Sequence, residues 1–293
     1  MIADLYICND TFAYNGQDSV VDVCRKLADF QKMLQKVREY PEENKLFLVK
    51  AGFGETSLFD DGKTVLQLLS DYLGTSKAYG KDVLTILQGI FKHCQAKNLS
   101  LDEMKEYLLL DDMDNCSAIL VLNPLEGYEN HVQVLSTVEG WLKFRRNFLA
   151  KYPGDEIFFL AESEKYFPNL VIHPQTKTKI GEVLSSHPKQ IVAYLSVLDD
   201  YFIAEFKALG GKDLNTFLPW FKGAHSLDDA SFEGSKDDKF RFIFPNGVEA
   251  YCEPHLKMYK DDAGNDNQHC RIYFKKPSND ETVVYVGCIC RHL

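Results

Sequence analysis

The 293-residue chain has no stretch approaching the roughly 18–20 apolar residues that a membrane-spanning helix needs. Residues 1–6 carry neither the basic start nor the apolar core of a secretory leader. No membrane partner is therefore expected. Internal repeats and low-complexity tracts are also missing, which sets aside solenoid and array architectures. The eight cysteines are scattered through a chain too large to need disulfide staples, a usage that points to a reducing, cytoplasmic setting. An excess of positive charge is absent as well. The 33 Lys and Arg against 43 Asp and Glu give a formal net charge of −10, which argues against generic binding of nucleic acid over the whole surface.

What is present is an apolar fraction of 45%, enough for a globular core, in a length that suits one large domain or two moderate ones. The charge is uneven. From Phe240 onward seven Lys and Arg balance seven Asp and Glu, so the whole acidic excess lies in residues 1–239. Within the tail the acids Asp261, Asp262, Asp266, Asp280 and Glu281 fall in turns, while most bases fall on or beside strands.

Along the chain, residues 5–8 and 45–51 read as strands, and residues 117–122 form an unbroken apolar run suited to a strand covered on both faces of a parallel sheet. Between the first two, Val20, Val23, Leu27, Phe30, Leu34 and Val37 fall at helical spacing behind Asp18 and Ser19, and Pro41 ends that helix. Residues 62–110 are helical in pattern, with stripes at Val65, Leu68, Leu69, Tyr72 and Leu73 and at Val83, Ile86, Leu87, Ile90 and Phe91. Ser100 and Glu103 form a capping box. Further helices are expected over residues 131–151, 155–167 and 188–207, with a short extended segment at 169–173 and one or two turns at 214–221. Residues 223–238, rich in Gly, Ser and Asp, read as a linker between a helix-rich α/β region, 1–222, and a tail, 239–293, packed on the preceding helices. The expected class is α/β, α+β overall, with a small and mostly parallel N-terminal sheet.

In the tail, residues 240–244, 250–258, 269–274 and 282–290 alternate with period two between turns rich in Gly, Asn, Asp and Pro. That pattern predicts a four-stranded antiparallel meander. One face collects Cys252, Leu256, Met258, Cys270, Ile272, Phe274, Val284, Val286, Cys288 and Cys290. The other collects Tyr251, Glu253, His255, Lys257, His269, Arg271, Tyr273, Lys275, Tyr285 and Arg291.

Four places carry candidate chemistry, each with a plain alternative. Gly52 and Gly54 follow a strand, so their loop is either a phosphate cradle or a turn; it matches neither a dinucleotide fingerprint nor a Walker A loop, and no cofactor is expected. Asn9, Asp10 and Asn123 stand at the carboxyl ends of candidate strands, either as ligand groups of an open α/β sheet or as turn formers. Cys252 with His255, and Cys288 with Cys290, are zinc ligands or buried small hydrophobes; mid-strand placement and the one-residue gap favour the second, so no metal is expected. The polar tail face is either solvated or a site for metal-independent RNA cleavage. Such cleavage needs a base such as His255 or Glu253, and phosphate grips and stacking groups such as Arg271, Lys257 and Tyr273.

The segments 253–258, 271–274 and 284–293 resemble the closing strands of RelE/HigB-like toxins, small bacterial ribonucleases that cleave messenger RNA. The family's arginine-then-tyrosine feature on the penultimate strand is similar to Arg271 and Tyr273, and its closing basic cluster to Arg291 and His292. The resemblance implies a bacterial protein of stress response or phage defence, an endoribonuclease acting on RNA or on ribosomes. Taken with the polar strand face, the catalytic residues would be Glu253, His255, Arg271 and Tyr273 and the substrate-binding residues Lys257, His269, Lys275 and Arg291, with the N-terminal region regulating the tail. The other expectation is a non-catalytic interaction or sensor protein, whose tail binds a protein partner or a second copy, or whose strand ends at Asn9, Asp10 and Asn123 bind a small molecule.

Overall fold

The protein was analysed as a computed structural model that describes residues 1–74, 81–109, 116–211, 213–232, 234–266, 269–278 and 280–293. It is an α/β protein that divides into two compact units, Met1–Phe144 and Arg145–Leu293. The expected boundary at residues 223–238 is not where the division falls.

In chain order the first unit contains β1 (Ala3–Ile7), α1 (Val20–Arg38), β2 (Asn44–Leu48), α2 (Val65–Gly74), α3 (Lys81–His93), β3 (Gln95–Ala96), α4 (Leu101–Leu109), β4 (Ser117–Leu120), β5 (Val134–Leu135) and the start of α5 (Val138–Lys151). Its sheet has the order β3-β2-β1-β4-β5, and every pairing is parallel. The chain steps one way from β1 and the other way from β4, so β1 and β4 meet at a switch point. The apolar run of β4 is buried at all four residues, as a strand covered on both faces requires.

Local signals place α1. Ser19 Oγ accepts from the N–H of Asp22, and Asp22 Oδ2 accepts from the N–H of Ser19, a reciprocal box that satisfies two exposed donors. Val23, Leu27, Phe30, Leu34 and Val37 are buried as their spacing predicts. The buried Asn44 then donates to the carbonyls of Val37 and Tyr40, joining the end of α1 to the start of β2. The Ser100–Glu103 box opens α4, whose Met104 and Leu108 pack with Tyr6, Ile119 and Val121 of the sheet. Two short strands depart from expectation. Val134 and Leu135, which the helical pattern of 131–151 includes, pair with β4, and Gln95 and Ala96 pair with β2. The side chains of Tyr72, Leu73 and Phe91, and residue 110, lie outside the described residues.

The second unit continues with α6 (Glu156–Tyr166), β6 (Leu170–Ile172), α7 (Gly181–Leu184), α8 (Pro188–Val197), α9 (Ile203–Ala208), α10 (Leu214–Ala224), β7 (Asp229–Ser231), β8 (Arg241–Ile243), β9 (Glu249–Tyr251), β10 (His255–Met258), β11 (Cys270–Phe274) and β12 (Val284–Cys290). Residues 198–202 join α8 to α9 as one wider π turn. Arg146, with a side chain only 4% exposed, reaches both acids of that turn, Asp199 at 2.5 Å and Asp200 at 2.9 Å.

The tail runs do form strands, but not a four-stranded meander. The main sheet has the order β6-β12-β11-β10-β7, with β6 parallel to β12 and the other pairs antiparallel. β8 and β9 form a separate hairpin. The expected single strand over residues 250–258 is divided at Pro254, which has no N–H for a ladder; residues on either side of it belong to different sheets. β7 lies inside the expected linker and pairs with β10.

Candidate functional site

The strand register corrects the two expected tail faces. Tyr273 pairs with Cys288 and Arg271 with Cys290, while Phe274 pairs with Val286. Gly287 is the extra residue of a β-bulge, and past it the alternation of β12 shifts by one. Cys288 and Cys290 thus share the face of His255 and Tyr273 rather than that of Leu256 and Ile272.

That shared face is not solvated at Tyr273, because the hairpin lies on it. Phe240, Phe242, Phe244 and Ala250 form one apolar cluster with Cys252, Tyr273, Tyr285, Cys288 and Cys290. Phe240 stands 5.8 Å from the Tyr273 ring, and Phe244 4.9 Å from Tyr285. At Gly287 an added Cβ would sit 2.7 Å from Cys252 and 2.8 Å from the Phe242 ring, so only glycine admits the hairpin this closely. The opposite face is buried too: Phe274 packs on Phe202, which also meets Phe206, Phe217 and Phe221. All seven residues of β12 are buried.

Each residue assigned to RNA cleavage can be placed. Glu253 is 3% exposed and accepts from the N–H of Gly234 at 3.0 Å. His255, opposite Tyr273 in the register, is 9% exposed, and its Nδ1 lies 2.8 Å from the Glu253 carbonyl, which directs the proton to Nδ1. Tyr273 is 2% exposed; burial raises its pKa, and its hydroxyl accepts from the N–H of Leu293. Arg271 is half-buried and donates to the Arg291 carbonyl at 2.5 Å. Lys257, opposite Arg271, donates to Ser231 Oγ at 2.8 Å and stands 3.4 Å from Asp229. Lys275 pairs with Glu281, His269 is exposed with its ring edge-on to Tyr259, and Arg291 is exposed.

The register thus brings His255 to Tyr273 and Lys257 to Arg271, but the acid–base half of the group is enclosed. Burial opposes the ionisation of Asp229. Hydrogen bonds from Tyr259 and Lys222, with the charge of Lys257, outweigh it and hold the pKa at about 2. It is no proton carrier near neutrality.

The cysteines are packed rather than reactive. Burial raises Cys252 to about 12 and pushes Cys270 up, and the Cys288 contact with burial does the same for Cys290.

The carboxyl edge of the parallel sheet is different. After β1, residues 9–12 form a 3-10 turn bound to the chain beyond β4: Leu122 N–H donates to Thr11 Oγ1, and Asn123 N–H to the Thr11 carbonyl. Asn123 is fully engaged, donating to the Thr11 and Ala13 carbonyls and accepting from Lys26, which also pairs with Asp18. Of the two readings for Asn123, the structural one accounts for every polar atom of its amide. After β2, Gly52 adopts φ of +90° and opens a three-residue 3-10 turn; the N–H groups of Glu55 and Thr56 bond within it. The Gly52–Gly54 loop is a turn.

Between these two turns lies a cavity of about 500 Å³, lined by Asn9, Asp10, Tyr14, Glu55, Thr56 and Asp60 among others. Asp10 pairs with Lys50 at 2.6 Å. Asn9 is 3% exposed: its Nδ2 donates to the Lys50 carbonyl at 2.8 Å, and its buried Oδ1 has no hydrogen-bond partner among the described residues. Most buried polar atoms are paired, so this acceptor stands out. Nothing in the residue pattern distinguishes Asn9 from a simple turn former; its exception lies in the burial.

No helix among the described residues is long and apolar enough to cross a membrane. No protein-family model, curated protein or solved structure matches the chain.

Proposed function

We propose that the protein is a non-catalytic sensor whose N-terminal unit binds a small polar molecule at the carboxyl edge of its parallel sheet. Open α/β sheets take ligands outside the carboxyl ends of their strands, where the backbone leaves polar groups unpaired and the connecting turns form walls. The cavity sits beyond β1 and β2, and its volume lies within the usual range of roughly 300–1,000 Å³ for small-molecule sites. The observation that carries the reading is this cavity at the carboxyl edge, lined by Asn9, a residue only 3% exposed whose Oδ1 has no hydrogen-bond partner among the described residues.

The ribonuclease reading finds less support. It needs an accessible base beside a phosphate grip, whereas Tyr273 lies in the hairpin's aromatic cluster and His255 is buried against the Tyr273 ring.

The test is a thermal-shift screen of polar metabolites on the full chain and on Asn9→Ala. The reading expects at least one compound that raises the melting temperature of the parent chain and loses that effect in Asn9→Ala. A screen in which every hit acts equally on both proteins overturns it.

A further inference from the structure

Independently of the sensor reading, we infer that the protein forms a two-fold dimer through α10, with Trp220 of each copy seated in a groove on the other. That groove, of about 440 Å³, belongs to the second unit and is lined from α9, from α10 and from the turn that joins them. Phe206 and Phe217 in its lining are buried, whereas Leu209 is 57% exposed and Trp220 44%. Gly210 and Gly211, both at positive φ, make the turn and bring no side chains to close the groove. An exposed tryptophan and leucine beside an apolar recess are the usual makings of an interface anchor, since aromatic residues dominate the buried centre of such contacts.

Charge selects the occupant. Among the described residues, those of α10 that are exposed carry no charge: Asn215, Thr216, Pro219, Trp220, Gly223 and Ala224. Lys222 is half-buried and turns to Asp229. A helix face that meets only water normally carries charged groups, and 26% of this chain is charged. Two copies of net charge −10 repel over most of their surfaces, and they meet at least cost where neither brings a carboxylate. At the rim, the exposed Lys207 and Asp213 are of opposite sign, so the edge of the contact does not set like charges alone against each other. A two-fold contact also needs one patch that holds both a projection and a recess. Trp220 and the groove stand side by side on one patch, so the two-fold sets each tryptophan over the other copy's recess. Gly223 and Ala224, within a turn of Trp220, keep the helix surface low enough for a second helix to approach.

Sedimentation velocity of the full chain, from about 1 to about 300 μM, reads the association. The expected result is a concentration-dependent dimer with Kd on the order of micromolar, weakened about thirtyfold or more by Trp220→Ala. Gly223→Glu keeps the test decisive if Trp220→Ala does not fold. An added Cβ at Gly223 meets nothing within 4 Å, so the substitution is accommodated in the monomer, while its carboxylate meets its own counterpart across the two-fold. That variant is expected to sediment as a monomer at every concentration, with an unchanged circular dichroism spectrum. A parent chain that is monomeric throughout overturns the proposal, as does a dimer that either folded variant leaves intact. Saturable binding of the apolar dye anilinonaphthalene sulfonate by a parent chain that stays monomeric, lost in Trp220→Ala, overturns the dimer and assigns the groove to a small apolar molecule.

Discussion

The two sheets have the same number of strands and use their polar residues in opposite ways. In the parallel sheet the faces are closed over β1 and β4, and polar groups gather at the carboxyl edge, where turns rather than ladders end the strands. In the second unit polar residues on the strands of the mixed sheet and on the segments that join them engage one another, His269 and Arg291 staying exposed. Lys257 and Lys222 meet Asp229, Lys275 meets Glu281, and Asp262 accepts from the N–H groups of Lys189 and Gln190 at the start of α8. Residue types that look like catalytic chemistry in a list become bracing once both faces of a sheet are covered. A buried polar atom without a partner among the described residues, as Asn9 Oδ1 is in the first unit and His187 Nε2 in the second, is the more informative kind.

The hairpin cover can be broken directly. Phe242→Ala removes a ring that is 3% exposed and touches the bulge at Gly287, and the second unit should lose roughly 3–5 kcal/mol in denaturant unfolding. The same variant sharpens the comparison if it is assayed for RNA cleavage. Activity appearing there, and lost again on adding His255→Ala, would restore the catalytic reading of the tail.

The buried ion cluster gives a pH-dependent effect of somewhat smaller size. Burial raises Asp199 to about 6, against the opposing pull of Arg146. A carboxyl whose folded pKa lies above its unfolded value of 3.8 stabilises the fold most below that unfolded value, and the contribution is lost as pH rises to about 6. Unfolding free energy should therefore fall by on the order of 3 kcal/mol between about pH 4 and pH 6 from this group. Asp199→Asn should remove that slope, as read by denaturant titrations across the range.

Gly287→Ala should destabilise the second unit by roughly 1–3 kcal/mol, since the new methyl meets Cys252 and Phe242. The smallest effect is expected in the first unit, where Ser19→Ala deletes half of a capping box and should cost about 1 kcal/mol in thermal or denaturant unfolding. A larger loss at Ser19 than at Phe242 would reverse the order that burial sets.

Much of the first unit was legible from residues, because its signals are local. Periodicity and the Ser19 and Ser100 boxes mark α1 and α4, and the apolar run at 117–122 marks β4. What escaped was short or non-local. Two-residue strands such as β3 and β5 are too brief to carry a period, and Val134 and Leu135 fit a helical stripe equally well. In the tail the strand positions were legible but their partners were not. One proline divided a strand between two sheets, and one bulged glycine reversed the assignment of Cys288 and Cys290. For the site, Asn9 and Asp10 were visible as strand-end residues. That Asn123 is fully bonded while Asn9 Oδ1 is not depends on contacts more than a hundred residues apart in sequence, such as Asn123 to Thr11.

Hydrogen exchange of the full chain with and without a compound whose thermal shift depends on Asn9 tests the contrast between the sheet edge and the tail most directly. Slowed exchange at residues 9–14 and 52–62, with residues 255–258 and 270–274 unchanged, is the expected result. Protection confined to the tail strands, or no protection anywhere, would contradict it.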